Sequence, residues 1–68
     1  MITELMKLTT ARDADQWAGD MLENCDYATA DATRLANWLW DNFAGKNYGE
    51  IRDQMPEGDA FWDIVYGK

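Results

Sequence analysis

The acidic side chains are the residues of this sequence best suited to chemistry, and their spacing indicates which chemistry is open to them. Asp20 with Glu23, and Asp59 with Asp63, stand at the spacing that brings two side chains together on one helix face. Paired carboxylates can act as a general acid and base. The chain has no histidine, no serine and no glycine-rich phosphate loop. We therefore interpret both pairs as solvated helix faces and expect no enzyme.

The acidic residues also do not form a calcium loop. Asp13–Ala14–Asp15 looks like the start of one, but the calcium pattern then requires glycine and, further on, a bidentate glutamate. Those two positions hold Ala18 and Asn24, and the stretch that begins at Asp26 fails in the same way. The absence of histidine also excludes His-ligated zinc. The sequence predicts no metal and no cofactor.

Cys25 is the only cysteine, so the chain has no internal disulfide. We expect it on the apolar face of its helix as a small buried hydrophobe. A lone cysteine favours a reducing compartment. The longest uninterrupted apolar runs are only a few residues, so neither a signal sequence nor a membrane span is expected. These observations predict a cytoplasmic protein.

The stretch from Thr29 to Gly45 is the longest with helical periodicity. One face of it is apolar and consists of Ala32, Leu35, Ala36, Leu39 and Phe43, with Trp40 at its edge. The other side carries Asp31, Arg34, Asn37, Asp41 and Asn42. We expect Thr29 to cap the start of this helix and Gly45 to close its end in a left-handed conformation.

Trp38 does not follow this pattern, because its helical phase places it among the polar residues. One interpretation is that its ring lies over Arg34 or is covered by the terminal helix. The other is that it anchors an interface, since exposed tryptophan on a charged face is typical of binding hot spots. In that case a cation–π contact with Arg34, one turn earlier, would pre-position the ring.

Four further elements are predicted around this central helix. Met1–Leu8 suits a short helix, and residues 11–24 form a longer one for which Thr9 or Thr10 provides the cap. Asn47 begins a short helix, Tyr48–Gln54, which Pro56 ends. Asp59 is expected to cap Ala60–Tyr66, an almost wholly apolar segment that is a docked helix or, alternatively, a buried strand. The fold class is therefore all-α, a single-domain bundle of three longer and one or two short helices over residues 1–68.

The charge balance indicates the kind of partner. Thirteen acidic against six basic residues give a net charge of −7, so direct binding to nucleic acid or to anionic membranes is not expected. Asp13, Asp20 and Glu23 are predicted along one outer face, and Asp31 and Asp41 along another. Carboxylates spaced in this way resemble the charge of DNA, which carries a phosphate about every 1.7 Å of helix axis.

Two function classes follow from these observations. The first is a small acidic inhibitor that binds the basic surface of a nucleic-acid-handling protein, with Trp38 and Arg34 as contact residues. Small acidic proteins that phages and mobile elements direct against restriction or CRISPR effectors share this size and charge, without a shared motif. The second is an assembly module that homodimerises through Ala60–Tyr66, for which the acidic residues only provide solubility.

Overall fold

The computed structural model describes residues 5–68, and that part of the chain forms four α-helices. They are α1 (Ala11–Met21), α2 (Thr29–Phe43), α3 (Tyr48–Gln54) and α4 (Asp59–Tyr66). The all-α class is thus confirmed. The expected three longer helices are not confirmed, because the described chain has two longer helices, of 11 and 15 residues, and two short ones, of 7 and 8.

Helix α1 begins with a complete capping box. The Thr10 hydroxyl accepts from the amide of Asp13 at 3.1 Å, and the Asp13 carboxylate accepts from the amide of Thr10 at 3.2 Å. The helix ends at Met21, earlier than the predicted residue 24. The reason is that the following turn changes to shorter-range bonds, with the amide of Glu23 donating to the carbonyl of Asp20.

Helix α2 starts where the periodicity predicts, but its cap is different from the one expected. Ala28 occupies the cap position and Thr29 is already helical, so the prediction that Thr29 caps the helix is wrong. The Asp31 carboxylate reaches back and accepts from the amide of Ala28 at 3.1 Å. A side chain inside the first turn therefore does the capping. Gly45, with φ of 84°, takes the predicted left-handed position after the helix.

The segment before α1 is not helical where the structure describes it. The first half of the predicted helix Met1–Leu8 lies outside the described residues, and residues 5–8 are non-helical. Lys7 forms an antiparallel bridge with Asn47, the Leu8 amide donates to the carbonyl of Lys46, and the Leu8 carbonyl accepts from the amide of Gly45. The extended conformation is favoured over a helix because it pairs these backbone groups with the loop after α2 and buries Leu8 completely.

The two short helices lie as the sequence predicts, apart from one cap. Asn47 caps α3 by accepting from the amide of Glu50 at 2.9 Å. The segment 60–66 is helical, so the strand alternative is wrong. Asp59 is the first residue of α4 and makes no capping bond; Gly58 occupies the cap position with φ of 60°, which is accessible to glycine.

One core joins all these elements. Its fully buried larger side chains are Leu8, Trp17, Leu22, Leu35, Leu39, Ile51 and Val65. The apolar face predicted for α2 is confirmed, with Leu35, Ala36, Leu39 and Phe43 buried. Helix α2 packs against both α1 and α4, which places it at the centre of the bundle.

Candidate protein-binding surface

The most extensive chemical feature of the surface is a set of exposed carboxylates that have no partner. Eight acidic side chains are exposed and receive no hydrogen bond or ion pair from the described residues: Asp15, Asp20, Glu23, Asp26, Asp41, Glu57, Asp59 and Asp63. They are spread over α1, the turn after it, the end of α2, and the region that begins at residue 57. Their charge is therefore directed to solvent.

Three of the predicted partner-binding acids belong to this set, namely Asp20, Glu23 and Asp41. The other five members were not predicted to contact a partner, because exposure depends on how the helices pack. A partial signal was present: these residues occur in turns and on helix positions that fall outside the apolar stripes. The exposed acidic surface consequently extends further than the two faces that were predicted.

Asp13 has a structural role. Its carboxylate accepts from the Thr9 hydroxyl at 2.8 Å and from the amides of Thr9 and Thr10. These hydrogen bonds, above all the one from the Thr9 hydroxyl, hold the pKa of Asp13 below its ordinary value of 3.8, against a smaller opposing effect of desolvation. Asp13 therefore belongs to the capping box of α1, and its charge is occupied within the chain.

Asp31 and Arg34 are also engaged within the chain. The prediction that Asp31 lies on an outer face is wrong, because the residue is only 9% exposed and its carboxylate forms an ion pair with Arg34. Arg34 in turn donates from Nε to the backbone carbonyl of Val65 at 2.9 Å. The pair thus fastens α2 to the C-terminal end of α4, so the charges of both residues are engaged within the chain.

Trp38 is half-buried, which places it between the two interpretations of the sequence. Its ring packs edge-on against Phe43, with centroids 5.3 Å apart and an interplanar angle of 75°. The guanidinium of Arg34 is instead committed to Asp31 and Val65. The Trp38 ring is therefore positioned by Phe43, and the residue stays partly exposed.

An open cleft of about 420 Å³ lies between α1, α3 and the start of α4. It is lined by Asp20, Met21, Tyr48, Arg52, Met55, Pro56 and Phe61. The five uncharged lining residues are all half-buried, so the cleft presents apolar surface to solvent. Sequence reasoning missed this feature, because the residues come from three separate segments and show no common spacing.

Three further features of residues 5–68 concern metal ligands, the cysteine and the character of the helices. Residues 5–68 contain no group of three or more side chains that could hold a metal ion. Cys25, expected on the apolar face of a helix, lies in the turn after α1 and is half-buried. None of the described helices has both the length and the apolar character needed to cross a membrane.

Comparison with known proteins gives no family to which the chain can be assigned. It matches no protein-family model, no curated protein and no solved structure. The surface features available for contact are the exposed carboxylates, the partly exposed Trp38 and the cleft that Met21 and Met55 line.

Proposed function

We propose that the protein is a small acidic binding protein whose partner presents a basic surface. The observation that carries this proposal is the set of eight exposed carboxylates without partners in the described chain. Charges of this kind attract a basic surface over a distance of about one Debye length, roughly 8–10 Å at physiological salt. They raise the rate of encounter more than they raise the affinity.

The partner that fits best is a protein that handles nucleic acid. Such proteins carry basic grooves shaped for a phosphate backbone, and a rigid helical scaffold with spaced carboxylates competes for the same groove. In this role the protein acts in the cytoplasm as an inhibitor, by nucleic-acid mimicry, of the anti-restriction or anti-CRISPR type that phages produce. Asp20, Glu23 and Asp41 contribute charge, and the partly exposed Trp38 contributes contact area.

The test compares two sets of substitutions in capture of a partner from the native host. The charge set is Asp20→Asn, Glu23→Gln and Asp41→Asn, which removes three exposed charges while keeping side-chain shape. The matched control set is Gln16→Ala, Asn37→Ala and Gln54→Ala, which changes three exposed uncharged side chains on the helices. Mass spectrometry identifies the captured protein, and surface plasmon resonance at low and high salt then measures its kinetics.

The charge set is expected to slow association and to flatten its salt dependence, whereas the control set leaves both unchanged. Unfolding midpoints of both variants should stay close to that of the parent chain, because exposed substitutions of this type change stability by about 0.5 kcal/mol or less. If the partner binds the variant that carries the charge set with unaltered kinetics and an unaltered salt dependence, the acidic surface only provides solubility.

A second candidate function is homodimerisation through α4. It is favoured by the aromatic surface of this helix, where the Trp62 and Tyr66 rings stack with centroids 5.5 Å apart and Tyr66 is 46% exposed. Sedimentation analysis across a wide concentration range separates the two functions. The inhibitor function predicts a constant monomer mass, and assembly through α4 predicts a rise in mass that Tyr66→Glu abolishes.

A further inference from the structure

The cleft between α1, α3 and α4 combines apolar walls with acidic surroundings. Met21 and Met55 contribute flexible thioether side chains, which adapt to the shape of an incoming group. Phe61 and Pro56 add rigid apolar surface. The volume of about 420 Å³ falls within the range of roughly 300–1,000 Å³ that is typical of ligand-binding clefts.

The charges around the cleft determine what it selects. Asp20 is exposed at its rim, and its carboxylate receives no hydrogen bond or ion pair from the described residues. The segment that supplies Met55 and Pro56 also carries the exposed carboxylates of Asp53 and Glu57. Arg52 is the one cation in the lining, and Asp53 lies 3.8 Å from its Nε. In the lining itself Asp20 and Arg52 balance each other, and the neighbouring Asp53 and Glu57 make the charge beside the apolar side chains net negative.

We propose that this cleft binds a basic peptide segment through one apolar side chain. That side chain enters between Met21 and Met55, and a neighbouring lysine or arginine of the segment pairs with Asp20. This inference rests on the proposed function, since it names where a basic partner makes its central contact. An apolar anchor beside a net charge that complements the partner gives both affinity and selectivity at protein interfaces.

A synthetic amphipathic peptide built from leucine and lysine is the probe. Two matched peptides are the controls: in one, glutamate replaces lysine, and in the other, glutamine replaces leucine. Binding is followed by NMR of the methionine methyl groups, which Met21→Leu and Met55→Leu assign. The Met21 and Met55 methyl signals are expected to shift with the leucine–lysine peptide. The Met6 signal, from a side chain that is not part of the cleft lining, should stay in place.

Matched variants test the two parts of the contact. Met55→Gln should weaken peptide binding about tenfold by placing an amide in the apolar floor, whereas Met55→Leu should retain it. Met6→Gln controls for loss of a methionine elsewhere. Asp20→Asn should weaken binding about threefold, and more than Asp15→Asn, which removes an equal charge from the same helix outside the cleft.

The possible results separate this inference from the proposed function. The proposed cleft site is overturned if the leucine–lysine peptide does not bind, or if it binds in a salt-dependent way without shifting the Met21 and Met55 signals. Salt-dependent capture of a host partner would still support the proposed function in either case. Equal binding of the glutamate peptide overturns the charge selection and contradicts both proposals. If the Met21 and Met55 signals shift with protein concentration alone, the cleft binds a second copy of the chain, and the proposal of a basic peptide is overturned.

Discussion

The Nε atom of Arg34 donates a hydrogen bond to the backbone carbonyl of Val65, 2.9 Å away, and thereby joins the middle of the bundle to its last helix. The Nη2 atom of the same guanidinium forms an ion pair with Asp31, a residue that is itself 9% exposed. A cation at the C-terminal end of α4 is also favourable for the helix dipole. Residues thirty-one positions apart in the chain are held together by this one side chain.

The first prediction concerns this contact. Arg34→Ala should lower the free energy of unfolding by about 1–2 kcal/mol, because it leaves the Asp31 carboxylate without its cation and the Val65 carbonyl without this donor. Arg34→Lys should recover only part of the loss, because lysine keeps the charge but lacks the planar guanidinium that contacts both groups. Arg12→Ala, at an exposed position on α1, is the control. Chemical denaturation measures all three, and equal midpoints for Arg34→Ala and Arg12→Ala would refute the structural role.

The second prediction concerns Gly67, which lies directly against Arg34. Its φ is 75°, and an added Cβ would stand 2.9 Å from the Arg34 Cδ. Gly67→Ala should therefore destabilise the chain more than Gly45→Ala, where φ is 84° but no atom lies within 4 Å of the added Cβ. In an Arg34→Ala background the two penalties should become similar. A difference that persists there would show that the arginine is not the cause.

Leu8 provides a third prediction, with a control three residues away. Leu8 is fully buried, whereas Leu5 is 83% exposed. Leu8→Ala should cost about 2–5 kcal/mol, which is a large part of the stability of so small a domain. Leu5→Ala should change stability by about 0.5 kcal/mol or less. Thermal and chemical denaturation of the two variants decide the matter, and equal losses would contradict the extended segment seen before α1.

Phe43 tests the helical phase of α2. It is 7% exposed and supports the Trp38 ring edge-on, so Phe43→Ala should cost about 3–5 kcal/mol and increase the solvent exposure of Trp38. Asn37→Ala on the exposed side of the same helix should stay within about 0.5 kcal/mol of the parent. Denaturation midpoints give the stabilities, and acrylamide quenching of tryptophan fluorescence reports the exposure. Comparable midpoints for the two variants would overturn this assignment of the core face.

The fifth prediction is a dependence of stability on pH. The pKa of Asp13 is lowered in the folded chain, so its carboxylate stabilises the fold at pH values above the ordinary 3.8. That contribution should disappear as the pH falls through the lower, folded-state value. Asp13→Asn should therefore lose less stability than the parent between neutral pH and a pH well below 3.8. Asp15 makes no such hydrogen bonds, so the Asp15→Asn variant should lose as much stability as the parent chain. Parallel losses for Asp13→Asn and the parent would contradict the capping interaction.

Several parts of the structure could be predicted from the sequence because local rules govern them. The apolar face of α2, including Leu35 and Leu39, follows from helical periodicity. The limits of α3 follow from the Asn47 cap and from Pro56, which disfavours helix in the residue before it. The left-handed position of Gly45 follows from its missing Cβ. Each of these depends on neighbours within a few positions of the chain.

Predictions of exposure were less reliable, because a residue's phase on one helix does not determine what packs against it. Asp31 shares the polar side of α2, yet it is only 9% exposed, and its carboxylate pairs with Arg34, which itself bonds to the end of α4. Residues 5–8 carry a pattern suited to helix, but pairing with the loop after α2 satisfies their backbone in an extended form. For residues 5–8 a contact distant in sequence outweighs the local preference, whereas for Asp31 the capping bond and the ion pair with Arg34 engage the carboxylate within α2 and its start.

The sequence by itself determined that the chain is helical, acidic and without histidine or serine. Only the tertiary structure decided which carboxylates remain exposed and which are occupied, as Asp13 and Asp31 are, by the fold itself. It alone formed the cleft, by bringing Met21, Met55 and Phe61 together from three segments. The physical reason is that hydrophobic burial is non-directional. Periodicity specifies which face of a helix is covered, whereas close packing of all the faces specifies what surface is left.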